Sequence, residues 1–223
     1  MGLTLAILVF LGMLFLIERI KPDWVQRAEE NILATLLATI TIVSFAQVIA
    51  RYGFNMGWGG ALEFTRILFA WMILFGMGFG IKMGTHLGVD ALIRKLPPSL
   101  FKAVALFGAL CGVFYGVILL SADWLQLFGA NTKGGAIVYW SKFFQIGIGL
   151  DDLRYPAWFI ELFGVQERVH RWLAYIMLPL GLALFAYRCL QGVVQIWRGE
   201  RELIVAGHEA EDLVAENKNL LRD

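Results

Sequence analysis

Uninterrupted apolar length is what most restricts this chain. Residues 31–49, 62–81, 101–122 and 172–197 each carry an apolar run of span length, and Gly2 to Ile17 adds 16 residues without a charge. A bilayer core asks for roughly 20 apolar residues, with about 17 at the lower end. Lipid offers no hydrogen bonds to a bare backbone, so such runs become helices. With 59% hydrophobic and 17% charged residues and a mean hydropathy of +0.67, the chain has too little polar surface for a soluble domain of 223 residues. The reading is an all-α integral membrane protein. It is a bundle of four core transmembrane helices with a possible fifth N-terminal span, interfacial helices within 123–171, and a cytoplasmic amphipathic helix over 199–223.

Three regions follow: a hydrophobic segment 1–21, a membrane core 22–198 and the tail 199–223. The first segment lacks the basic start and small-residue cleavage site of a signal peptide, and it lacks the polar face of a helix lying in the interface. It is read as a span with its N-terminus outside. Residues 22–30 are read as a polar connection in which Trp24 meets the headgroups, and Thr35, Thr39, Ser44 and Gln47 as packing groups of the next span. Lys82, Arg94, Lys95 and Lys102 crowd one connection beside two spans, which assigns it to the cytoplasm. The reversal at 51–60 then falls outside, and Arg198 and Arg201 fall inside. The stretch 123–171 is too long for a loop and too broken for a span; its aromatic residues suit short interfacial helices, with a re-entrant element as the runner-up. Trp172 and Trp197 bracket the last span, which holds Pro179, expected to bend it, and Arg188, which either snorkels or makes an interhelical contact. The tail carries seven acidic and three basic residues over 200–223, with Leu203, Ala206, Ala210, Leu213, Asn217 and Leu220 at spacings of three and four. Such a helix calls for a partner surface.

Charges inside apolar segments are costly and are placed for a reason. Glu63 and Arg66 are three apart on one helical face, and the reversal brings Arg51 back towards them. Such a cluster is either a structural ion pair that orders the external rim or part of a transport path, and a carboxylate flanked by two guanidiniums stays ionised and paired, which suits the structural reading better than a proton relay. Gly76, Gly80 and Gly84 recur every fourth residue, as do Gly108, Gly112 and Gly116 in the following span. Two faces almost without side chains predict a tight antiparallel hairpin between those two helices. Cys111 and Cys189 read as buried thiols or small packing residues. His86 and His170 fall at opposite ends of the predicted topology and His208 in the tail, so no haem or metal sphere is expected. No phosphate cradle, HExxH pair or nucleophile elbow is present, and a net charge of +1 gives no reason to invoke nucleic acid. Neither catalytic nor cofactor residues are assigned.

The run Arg51-Tyr52-Gly53-Phe54-Asn55, then Trp58, Glu63, Arg66, Phe69, Trp71, Gly76 and His86-Leu87-Gly88-Val89-Asp90, resembles the DctQ-like small membrane subunit of tripartite ATP-independent periplasmic (TRAP) transporters. Pro156, Trp158 and the Leu178-Pro179-Leu180-Gly181 run with Arg188 resemble that family's last-helix region, and the likeness extends over roughly residues 27–195. It implies a four-helix core bound to a large transporter subunit in the bacterial inner membrane, with a periplasmic substrate-binding protein that captures an organic anion such as a C4-dicarboxylate. It further implies a cation-coupled symporter, usually driven by sodium, whose small subunit braces the large one in the lipid and helps to dock the capture protein. The Arg51, Glu63 and Arg66 cluster would sit at the outer rim, and His86 with Asp90 would stabilise the inner turn. The chain departs from the pattern at Leu62, where many relatives carry a second acid. It also departs in the Gly2–Ile17 segment, in the length of 123–171 and in the acidic tail.

The expected function is therefore a non-catalytic scaffold of an organic acid importer with a cytoplasmic C-terminus. Its partners are the large subunit, the capture protein and membrane lipids. The alternative is a haem- or quinone-associated membrane anchor of a redox complex.

Overall fold

The computed structural model describes residues 2–83 and 97–199. It is all-α apart from one short ribbon. Helix α1 is Gly2–Ile20, α2 Pro22–Gly53, α3 Ala61–Met83 and α4 Pro98–Leu120. A 3-10 turn, Asp123–Phe128, leads to α5, Ala136–Ile146. Strand β1 (Gly149–Arg154), α6 (Ala157–Phe163) and β2 (Arg168–His170) follow, then α7 (Arg171–Tyr175) and α8 (Met177–Arg198). Among the described residues five helical stretches are long and apolar enough to cross a membrane: α1, α2, α3, α4 from Leu100, and α7 with α8. The chain is a multi-span membrane protein.

Several boundaries differ from the sequence expectation. Residues 22–30 are helical, not a connection: Pro22 occupies the first turn, where its missing N–H costs nothing, and Gln26 donates to Glu30 one turn on. Polarity ends a span but need not end a helix. At 32 residues α2 is about 48 Å long, well beyond a hydrocarbon core of about 30 Å. The last span is interrupted at Ile176 between α7 and α8, because Pro179 has no N–H for the carbonyl four residues earlier. The region 123–171 contains the antiparallel ribbon β1–β2 as well as short helices. Its register runs from Gly149 opposite His170 to Arg154 opposite Arg168, so five steps on one strand face two on the other. Such a bulge removes the period-two pattern by which a strand is read.

The described residues fall into two compact units, one drawn from Met1–Gly76 with Val117–Ala183 and one from Met77–Gly116 with Leu184–Asp223. In the first, α1 packs on α2 and touches α5, burying Ile7 and Val25. Gly76 of α3 faces Leu33 of α2, and a Cβ on Gly181 of α8 would meet Leu74 Cβ at 2.7 Å and its carbonyl oxygen at 3.0 Å. The aromatic rings of α5, α7 and their surroundings form a cluster in which Phe143 stacks on Tyr175 and Trp140 on Phe144. In the second unit Ala105 and Ala109 of α4 close on Ile196 of α8. There a Cβ on Gly112 would lie 2.8 Å from Cys189 Sγ, and one on Gly116 2.9 Å from Ala186 Cβ.

The partner of the Gly112 and Gly116 face is thus α8 and not the α3 predicted for it. Glycine spacing announces a close approach without saying which helix makes it. Gly108, in the same row, faces open space: a Cβ there would meet nothing within 4 Å. Gly78 of α3, which lies off the Gly76–Gly80 row, meets Leu184 of α8 at 3.0 Å. Helix α8 is accordingly the most buried span, whereas none of the most apolar window of α2 is buried. Cys189 is buried as expected, but Cys111 is exposed.

Candidate functional site

The α2–α3 reversal is the site the charged residues pointed to. The chain leaves α2 at Ala50, whose carbonyl accepts from both Phe54 N and Met56 N, and turns through Asn55 with φ 51°. Asparagine is among the few residues that tolerate this left-handed conformation. Gln47 then closes the loop as a second backbone would: its Nε2 donates to Trp58 O at 3.1 Å, and its Oε1 accepts from Trp58 N at 3.0 Å. The loop and the facing helical turns enclose an open cavity of about 680 Å³, with Gln47, Arg51, Trp58 and Thr65 on its walls.

Glu63 does not join the arginines. Among the described residues it forms no salt bridge with Arg51 or Arg66, although Arg66 lies on the next turn. Its Oε2 instead accepts from Asp152 N at 2.7 Å and from Leu153 N at 2.8 Å, clamping the start of α3 onto β1. Gly60 lies beneath the same strand: a Cβ there would stand 2.9 Å from the Asp152 carbonyl oxygen and 3.1 Å from a Leu153 methyl. Strand β1 commits only part of its N–H groups to β2, and the carboxylate takes two that the bulge releases. Arg51 is exposed beside the cavity and Arg66 is exposed on α3. The predicted trio is therefore split into a carboxylate that holds backbone and two exposed cations.

The ribbon is fixed at its other end too. Arg171 N donates to Ile148 O at 2.9 Å, its guanidinium reaches Asp151 at 3.2 Å and lies 5.8 Å from the Phe143 ring centre, and Arg154 pairs with Glu167. Two indole N–H groups serve the start of the last span, where the break before Pro179 leaves carbonyls to be satisfied. Trp140 donates to Trp172 O at 2.9 Å, and Trp71 to Ala174 O at 2.7 Å. Sequence reasoning found neither Gln47 nor the two tryptophans as ties. Pro179 strands only the carbonyl of Tyr175, four residues earlier, so the sequence signals an irregular start of this span without naming the Trp172 and Ala174 carbonyls that the indoles take.

In the second unit Arg188 is 2% exposed, donates to Gln191 Oε1 at 2.7 Å and lies against the Tyr187 ring, while Gln191 donates to the Tyr187 hydroxyl at 2.7 Å. It does not snorkel to solvent. Lys102 reaches the Trp197 carbonyl at 3.2 Å. His170 lies in β2 with its ring 6.3 Å from Trp172. His86, Asp90, Gly84, His208 and the tail lie outside the described residues. Among the described residues no three or more His, Cys, Asp or Glu side chains gather where a metal could sit.

Comparison with known proteins decides the family. The family model of "Tripartite ATP-independent periplasmic transporters, DctQ component" matches residues 40–199. The chain belongs to the DctQ family. This DctQ chain is 36% identical over 184 residues to the C4-dicarboxylate TRAP transporter small permease protein DctQ of Vibrio cholerae, covering 82% of itself and 77% of that protein. It is 25% identical over 217 residues to the protein of the same description from Pseudomonas aeruginosa, covering 83% and 90%. With the one from Rhodobacter capsulatus it shares 27% over 201 residues, 74% of each chain. As a DctQ component it is a non-catalytic part of a transporter. The match begins inside α2, so α1 lies beyond it, as does the tail after Gly199. The Glu63 clamp, the Gln47 loop and the ribbon all lie within it.

Proposed function

We propose that this chain is the small membrane subunit of a cation-coupled importer of organic acids, C4-dicarboxylates being the leading class and sodium the leading ion. It braces the large transporter subunit in the bacterial inner membrane and helps to dock the periplasmic substrate-binding protein. The substrate class is supported by the three relatives, each a C4-dicarboxylate TRAP transporter small permease protein. The bracing role rests on one observation above others: α8 collects the internal packing, while α2 keeps its whole apolar window open. A helix of about 48 Å with no buried face along its span is suited to a lipid or protein neighbour.

In this reading the basic connection 82–102 and the C-terminus face the cytoplasm. The α2–α3 loop and the β1–β2 ribbon then face the periplasm, with Arg51 and Arg66 as exposed cations for a docking partner and Glu63 as the tie that holds loop and ribbon together.

The test is uptake of labelled C4-dicarboxylates into proteoliposomes under a sodium or a proton gradient, with this chain and the large subunit together and each alone, and the capture protein outside. Uptake only with both membrane chains is expected. Uptake by this chain alone would overturn the scaffold role, and uptake by the large subunit alone would reduce it to a dispensable stabiliser.

A further inference from the structure

Where α1 touches α5 the first unit leaves an open groove of about 470 Å³ whose walls include Leu3, Ala6, Ile137, Trp140 and Phe144. The side-chain donors of Trp140 and Ser141 on its walls are already engaged. The Trp140 indole N–H is spent on the Trp172 carbonyl, and Ser141 Oγ donates to Ile137 O at 2.8 Å. What remains is ring face and methyl groups, with the exposed amide of Gln145 at the edge. Leu3 and Ala6 share their face of α1 with Phe10 and Met13, which are 39% and 55% exposed on a helix long and apolar enough to span a bilayer, so the groove continues into an open apolar surface. An apolar cleft continuous with a lipid-facing surface is bathed by hydrocarbon, and an empty one forfeits the dispersion contacts of its lining.

We propose that this groove holds one acyl chain of a membrane phospholipid. The chain lies between the first two turns of α1 and the inner face of α5, and Gln145 donates to an ester or headgroup oxygen where the chain leaves the groove. The lipid completes the packing of α1 against α5, on which Ile7 and Trp140 are already buried.

Photocrosslinking tests this in the assembled transporter complex, reconstituted with a phosphatidylcholine carrying a diazirine in its acyl chain, with adducts mapped by peptide mass spectrometry. Label on residues 136–146 should exceed that on the open face of α2 around Leu37, Ile42 and Phe45. Ala6→Trp, which fills the groove, should abolish the label on 136–146, whereas Leu5→Trp, which adds the same bulk outside it, should leave the label in place. Absence of label on 136–146 in the wild-type complex means that a protein neighbour covers the groove and overturns the proposal. So does label no stronger than that of α2, which is bulk lipid alone, and so does label that survives Ala6→Trp. Should Ala6→Trp fail to assemble, the wild-type ratio between 136–146 and α2 decides by itself.

Discussion

Replacing Glu63 with alanine removes a carboxylate oxygen that accepts two backbone N–H groups, from Asp152 at 2.7 Å and Leu153 at 2.8 Å. A hydrogen bond to a charged group contributes about 1.5–3 kcal/mol, and a buried donor left without a partner costs a similar amount. The two bonds do not count equally. Asp152 is exposed, so water replaces its lost acceptor at small cost, whereas Leu153 is only 8% exposed and sits in the angle between α3 and the ribbon. One full bond and a fraction of the other give about 2–3 kcal/mol against local opening of β1 from α3. At about 1.4 kcal/mol per decade this corresponds to roughly 30- to 150-fold faster exchange of the Leu153 amide hydrogen. Glu63→Gln retains an oxygen acceptor without its charge and should recover about half of the lost free energy of protection. The assay is hydrogen exchange read by mass spectrometry on peptides covering 149–154, with the chain in lipid nanodiscs. Unchanged exchange in Glu63→Ala would refute the clamp. Equal acceleration in Ala and Gln variants would show that the charge, acting at longer range on the arginines, is what matters.

The remaining predictions concern packing and ties. Gly116→Leu should cost more than about 1–3 kcal/mol through overpacking against Ala186, while Gly108→Leu, with open space at its Cβ, should change stability by no more than about 0.5 kcal/mol; equal shifts in thermal unfolding in detergent would remove the case for α8 as the partner of this face. Trp71→Phe keeps the ring but loses the donor to the Ala174 carbonyl, and a loss of about 1–2 kcal/mol is expected in the same assay, with no change refuting the tie. Gln47→Leu abolishes both bonds to Trp58 and should expose the loop at Gly57 and Gly59 to limited proteolysis, whereas Gln47→Glu, which still accepts from Trp58 N, should be cut more slowly. In the reconstituted importer Glu63→Ala should lower uptake without changing the order of substrate preference; a changed order with normal subunit association would contradict a scaffold role.

How much was legible in the residues depended on whether the signal was local. Span existence was legible because apolar length is a property of one segment. The start of α2 was not, because a polar first turn beginning at Pro22 has the composition of a loop and the propensity of a helix. Gly112 and Gly116 announced a bare helix face, yet their neighbours Cys189 and Ala186 lie more than 60 residues away in sequence, and spacing carries no information across that distance. The ribbon was hidden by its bulge, which places Leu150 and Leu153 three apart where an alternating strand would place its buried residues two apart.

The charged cluster shows why periodicity and partnership are separate questions. Glu63 and Arg66 meet the spacing for an intrahelical pair, whose value on an exposed face is about 0.2–0.5 kcal/mol. Two released N–H groups on β1 offer the same carboxylate several times that amount, and one of them has little access to water. The stronger interaction wins. Glu63 bonds to β1 instead of to its own helix, and Arg51 and Arg66 remain exposed. A ribbon tied to α3 and two exposed cations are then two products of one choice of acceptor. On the proposed docking role, Arg51→Ala should slow association with the capture protein, most visibly at low ionic strength where exposed charges act furthest, while leaving Leu153 exchange untouched. Glu63→Ala should do the reverse first, loosening the ribbon before it alters any charge contact. If both variants accelerated exchange equally, the rim would be one ion-pair network after all, and the separation argued from the two hydrogen bonds would fail.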